Sequence, residues 1–421
     1  MLTLRPAHAA RSFLAVALFA ATALASAAER LPRAGDDAID QLVAQVCDKQ
    51  VVMLGEDAQH GSGATLQAKA EVVRRLVERC GFDAVHFESQ LYDFLDFEAA
   101  VRAGRATPAL LADAIGGFWA TTADMQTLIA FLFDRASRSG LDVQGLDPQL
   151  GGATQRYAQD RLPGELVSSL GENEREACRA DMARFTGWVF DAATPFDDAF
   201  RRRVTHCAAR VRESASPRDP AAGADVVVRL AENFRMAVAL AGKADLDMRE
   251  QAMFDNLVWL ASRRVPAPRI IVWCATAHAL RQGRGGSAFS PLGERLAARF
   301  GDRIAAIGFS AAAGSIAPPR SAPTPIEPAP AASLEGRAFA GASAPAGDAV
   351  FVGRPTLAAL GPISSRVVSV ARWRTEDWSA LLDGILVLRE ERPPRYLRPP
   401  APMQDAAGWR SARPSPRPPP R

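Results

Sequence analysis

The sequence predicts an α/β protein: a mostly parallel central sheet flanked by helices, with a helical insertion and a small C-terminal extension containing strands. Three observations carry that prediction. The apolar run Val51-Val52-Met53-Leu54 ends in Gly55, and Glu56 and His60 follow at once. Ala84-Val85-His86-Phe87 ends in Glu88. Ile270-Ile271-Val272-Trp273 leads to His278. Buried strands of parallel sheets read as unbroken apolar runs, and open α/β sheets place ligands at the carboxyl ends of their strands. One shared site is therefore expected where the three runs end.

The elements follow in order. Ala38 to Lys49 carries Ile39, Leu42, Val43 and Val46 at helical spacing. After the first strand, Val51 to Leu54, residues Ala64 to Arg79 read as an amphipathic helix stopped by Gly81. The second strand, Ala84 to Phe87, completes a strand-helix-strand unit, which implies a parallel pair. Helices are expected over Leu91 to Gly104, Pro108 to Ile115 and Ala123 to Ser139, and a short strand over Val143 to Asp147. Residues from about 154 to 248 form the helical insertion, with Val226 to Ala241 and Arg249 to Arg263 its clearest helical stretches. Strand signals return at Arg269 to Trp273 and Arg303 to Phe309. The core is thus expected over 28–316 and a Pro/Ala-rich linker over 317–335. The extension of the core is expected over 336–397, with strands at Val367 to Ala371 and Gly384 to Leu388. Residues 398–421 are rich in Pro and Arg, lack core material and read as disordered.

With 421 residues, 48% hydrophobic and 23% charged, the composition is that of a globular protein. A net charge of +3 and the lack of a basic stripe interleaved with aromatics argue against nucleic acid as a partner. Residues 1–27 read as a secretory signal: Arg5 and Arg11, the apolar run Ser12 to Leu24, then Ala25-Ser26-Ala27 as a cleavage site. No membrane partner is expected once it is removed, and the expected location is periplasmic or secreted. Of five cysteines, Cys47 with Cys80 and Cys178 with Cys207 are candidate pairs.

His60 is the candidate general base, since an imidazole can be neutral and accepting near neutral pH. Glu56 or Glu88 would orient it, and His278 would polarise a carbonyl or protonate a leaving alcohol. Lys69, on the helix after the turn, would hold a substrate oxygen or pair with a carboxylate. Asp147 ends another short strand and either binds substrate or caps the following turn. No Gly-x-Ser-x-Gly elbow is present in a strand-turn-helix setting. Water activated by His60, with no acyl-enzyme, is the favoured chemistry. Glu56, His60, Glu88 and His278 would also suit zinc or manganese, but the glycines around His60 argue against a regular helical ligand pair, and no metal or cofactor is expected. His86 alternates with Val85 and Phe87 and reads as facing the other side of its strand; His206 follows an Arg-rich helix and reads as solvated.

These residues carry a resemblance. Gly55-Glu56, His60-Gly61, Lys69 and Gly81 to Glu88 resemble the Gly-Glu-x-x-His-Gly turn, basic residue and Glu-ending strand of the erythromycin esterase family. Gly145-Leu146-Asp147-Pro148-Gln149-Leu150, the helix carrying Met253, Asn256 and Trp259, Trp273 to His278, and Ile307 to Ser310 are similar to its later segments. Relative to the family pattern, one extra residue separates Glu56 from His60, and Ala275 and Thr276 stand where the late segment has His and Asn. The resemblance implies metal-independent hydrolysis of a small-molecule ester or lactone, with the residues at His60, Glu56, Lys69, Glu88 and His278 as base and site residues. It also implies macrolides as the best-known substrates, and so antibiotic resistance as a setting. A different class, a non-catalytic protein that binds a ligand such as heme on a similar core, is the alternative.

Overall fold

The computed structural model describes residues 36–150, 156–215, 224–243, 245–283, 289–319, 321–340 and 347–397. All of them fall in one unit, Arg33–Arg421. The expected signal peptide and the tail after Leu397 lie outside the described residues.

Helix α1 (Asp36–Val46) leads into β1 (Val51–Glu56), α2 (Gly63–Cys80), β2 (Ala84–Gln90) and α3 (Leu91–Arg102). Then come α4 (Pro108–Ile115), α5 (Ala123–Ser139) and β3 (Asp142–Asp147). Gly81 ends α2 in the left-handed conformation, φ 72°, as the sequence predicts. Thr107 caps α4 by accepting from Leu110 N, with Pro108 in the first turn. The helical insertion supplies Glu172–Thr186, Asp198–Ala215 and Ala224–Leu240, and the Leu246–Ser262 helix returns the chain to the sheet. The remaining strands are β4 (Ile270–Ala275), β5 (Ile304–Ile316), β6 (Thr324–Ile326), β7 (Ala349–Gly353), β8 (Ile363–Ser365), β9 (Arg374–Glu376) and β10 (Gly384–Glu391).

The main sheet runs β3-β2-β4-β1-β5-β10-β7. β3 through β10 along that order are parallel; β7 and β6 pair antiparallel with β10 and β5. Every residue of β1 and β4 is buried, as expected of strands covered on both faces. Alternation divides the core: Val52 and Leu54 pack with α1, α2, α4 and α5, whereas Val51 and Met53 pack with the helical insertion. A third cluster, around Trp378, Leu357 and Ile385, packs the residues beyond β6 onto the same sheet.

The strands outrun their apolar signals. β1 continues through Gly55 and Glu56 because both still pair with β4, opposite Cys274 and Ala275. Within the Pro/Ala-rich stretch, Thr324–Ile326 forms β6 against β5. Val367 to Ala371, read as a strand, is a turn: Val367 and Val368 are buried, and Val370 N donates to Asp57 Oδ2 at 2.8 Å. Its apolar residues serve burial from a bend, not a ladder.

Cys47–Cys80 and Cys178–Cys207 are disulfides; Cys274 is a buried thiol. Each bridge closes a loop of about 30 residues, which in the loop-entropy picture contributes roughly 3–4 kcal/mol. Among the described residues no helix is long and apolar enough to cross a membrane.

Candidate active site

Glu56 is the last residue of β1, so its carboxylate stands at the carboxyl rim of the sheet. Asp57 shapes the turn that follows. Its side chain accepts from Gln59 N at 2.9 Å and its carbonyl from His60 N at 3.0 Å. His60 then adopts φ 55°, a left-handed conformation that costs a residue with a Cβ about 1–2 kcal/mol. The turn brings the imidazole back over the strand end, where Nδ1 donates to Glu56 Oε1 at 2.8 Å. Phe118 stacks on the imidazole at 5.4 Å and Trp119 meets it edge-on at 5.3 Å.

Glu56 is buried and fully partnered. Trp119 Nε1 donates to Oε1 at 2.6 Å and Lys69 Nζ to Oε2 at 2.9 Å. Lys69 has no exposed side-chain surface. Its ammonium also donates to Cys274 O at 3.3 Å and lies 4.0 Å from the centre of the Trp273 ring. Burial opposes the charge on Glu56, but Lys69 and then His60 outweigh it and hold its pKa below the ordinary carboxylate value. Burial also opposes a charge on His60. The bond to Glu56 and the nearby charges of Glu56 and Glu88 win, so its pKa is raised.

A second cluster faces this one. Glu88, on β2, accepts from Ala275 N at 2.8 Å through Oε2. Its Oε1 meets Arg249 Nη2 and His278 Nε2, both at 2.9 Å. Asp147, at the end of β3, takes Arg249 Nε at 3.0 Å and Nη2 at 2.5 Å. Its other oxygen accepts from Gln149 N at 2.9 Å, so it also caps the next turn. His278 Nδ1 donates to Glu250, whose second oxygen accepts from Leu292 N at 2.8 Å. Burial opposes a charge on His278, yet Glu88 and Glu250 push its pKa up to about 10. It is a cation at neutral pH. Arg249 Nη1 lies 3.3 Å from His278 Nε2; with both groups charged, neither accepts, and the two share Glu88 instead. Burial opposes the charge on Glu88, but His278 and then Arg249 and His60 hold its pKa well below the usual range.

The structure thus brings Glu56, His60, Lys69, Glu88, Asp147 and His278 to one rim. It leaves out His86, buried against Asp142 Oδ2 at 3.2 Å, and His206, which is exposed. Four residues join the cluster beyond those the sequence singled out: Phe118, Trp119, Arg249 and Glu250. Their signals were present. Phe118-Trp119 follows Gly116-Gly117 between two helices, and Arg249-Glu250 opens the helix that carries Met253 and Asn256. Asn256 itself donates to Leu146 O at 2.8 Å and anchors β3 to that helix.

The family model described as erythromycin esterase matches residues 77–390. The chain belongs to the erythromycin esterase family. The matched span holds Glu88, Asp147, Arg249, Glu250 and His278, while Glu56, His60 and Lys69 precede it. No curated protein matches the chain. Three solved structures share the erythromycin esterase fold seen here. A succinoglycan biosynthesis protein has TM-score 0.66 at 14% identity, covering 85% of this chain and 92% of its own. A Bacillus cereus protein has TM-score 0.64 at 16% identity, covering 86% and 93%. A mutant of the erythromycin esterase EreC in its open conformation has TM-score 0.59 at 14% identity, covering 84% and 93%. At these identities the likeness shows the fold alone.

Proposed function

We propose that this chain is an exported hydrolase that cleaves a small-molecule ester or lactone with water activated by His60, and that needs no metal. The observation that carries the reading is the anchored imidazole. Glu56 can only accept, so Nδ1 holds the hydrogen of their 2.8 Å bond, and neutral His60 keeps its lone pair on Nε2. The side chain is 15% exposed, enough to meet a water. His60 takes a proton from that water, and the hydroxide attacks the carbonyl. The tetrahedral oxyanion needs donors. Arg249 Nη1 supplies one, and cationic His278, whose two N–H groups face Glu250 and Glu88, adds its positive charge beside it; Lys69 is enclosed by Glu56, Cys274 and Trp273. Imidazolium His60 then returns its proton to the leaving alkoxide, and an acid and an alcohol, or one hydroxy acid from a lactone, are released. In this reading Lys69 and Asp147 position Glu56 and Arg249 rather than touch substrate. The two disulfides support an oxidising compartment and therefore export.

The test is a panel of chromogenic acyl esters and macrolide lactones, with products followed by mass. Addition of one water per cleaved bond, unaffected by chelators, is expected; lack of turnover on every ester and lactone rejects the hydrolase. A Soret band with added heme and no turnover would favour the ligand-binding alternative. The pH profile adds a second check. A base works only unprotonated, and the pKa of His60 is raised. Activity should therefore climb with pH through a midpoint above the ordinary 6.5 of histidine. A midpoint below that value would remove His60 as the base.

Phe118 is 44% exposed while stacked on His60, which places an apolar wall beside the water site. Phe118→Ala should raise KM for apolar esters about fivefold, the effect of losing roughly 1 kcal/mol of apolar contact, with kcat changed less. Equal KM values for both proteins would place the substrate elsewhere.

A further inference from the structure

We infer that Glu391–Leu397, more than 300 residues further along the chain, is a positioning collar for His60 that acts without touching the imidazole. His60 holds an unfavourable backbone conformation, φ 55°, and such residues persist only where their surroundings over-determine them. Asp57 determines the near side of the turn; the far side is held by later segments. Ala317 N donates to Gly61 O at 3.0 Å, and Gly63 N donates to Arg392 O at 2.7 Å. Helix α2 begins there, and its N-cap residue Ser62 makes no side-chain cap. Glu391 does that work instead. It accepts from Ala64 N at 2.7 Å, Thr65 N at 3.3 Å and Thr65 Oγ1 at 2.6 Å; a carboxyl group suits a helix N-terminus, while its burial pushes the pKa up to about 7. The fit is close: a Cβ on Gly63 would lie 2.6 Å from Pro393 O.

The same short segment holds the opposite wall of the site. Fully buried Asp124 accepts from Arg392 Nη2 and Arg395 N, both at 2.7 Å, and from Gln67 of α2 at 3.1 Å. Ala123 N donates to Arg395 O at 2.7 Å, and Leu397 N to Thr121 O at 2.9 Å. Thr121 to Asp124 come one residue after Phe118 and Trp119, the rings that hold His60 and Glu56. Tyr396 closes the ring by donating to Ala317 O at 3.2 Å. One strip of chain therefore ties the His60 turn to the aromatic corner against which the imidazole rests.

The kinetic readout of this inference rests on the hydrolase reading, so a second readout is paired with it. Glu391→Ala should lower kcat about tenfold through misplacement of the base, with KM within twofold, and Glu391→Gln should recover most of the loss. A fall in Tm with unchanged kcat would make Glu391 a helix cap and nothing more. In the full-length protein, the downfield proton of His60 Nδ1, assigned by its absence in His60→Asn, should broaden or shift in Glu391→Ala. That signal judges the collar even if the wild type cleaves no ester; an unchanged signal overturns it. Should Glu391→Ala fail to fold, Gly63→Ala serves instead. Its Cβ would push the collar off while alanine keeps α2 intact, and unchanged kcat with an unchanged His60 signal would end the proposal.

Discussion

His60→Asn is expected to reduce kcat on any ester substrate by at least about a thousandfold, the scale set by removal of a general base oriented by a carboxylate. Asparagine is the informative replacement. It tolerates the left-handed backbone that position 60 requires, and its amide can still donate to Glu56. Misfolding is thus removed as an explanation, and only the proton acceptor is lost. Initial rates together with circular dichroism melting check this. A variant that melts like the wild type and retains more than about a tenth of its activity would show that another group activates water.

The second large effect concerns stability. Lys69→Met should destabilise the protein by about 3–5 kcal/mol, the scale observed when one partner of a buried ion pair is removed. Met keeps the length of the side chain and its contact with Trp273, but leaves Glu56 buried with its Oε2 unpaired. Adding Glu56→Gln to Lys69→Met should recover part of the loss, because the uncompensated charge is then gone. Urea unfolding of the two variants and the wild type measures both steps. A loss below about 1 kcal/mol with a raised KM would instead make Lys69 a group that meets substrate.

Much of this was legible in the sequence because parallel strands buried on both faces announce themselves. Val51 to Leu54 and Ile270 to Trp273 are unbroken apolar runs, Ala84 to Phe87 is interrupted only by His86, and each became a strand of the central sheet. Glu56 and Glu88 were legible for the same reason, being the first carboxylates after their runs, and His60 and His278 follow within a few residues of theirs. Reading stopped where the backbone does something a side-chain pattern does not encode. The left-handed step at His60 could not be seen, so neither could the choice of Glu56 over Glu88 as its anchor. Arg249 escaped because an arginine near the start of an amphipathic helix is usually solvated. Only the fold shows that two carboxylates and an imidazole converge on it. Val367 and Val368 misled because paired valines suit a strand and a buried bend equally well.

β10 lies inside the sheet, between β5 and β7, although it is translated long after β1 and β4. During synthesis the outer edge of β5 must therefore wait, exposing ladder groups that invite wrong pairing. The corollary is that a frameshift or proteolytic cut ahead of Gly384 removes more than a decorative appendage: it leaves a half-finished sheet and takes Glu391 with it.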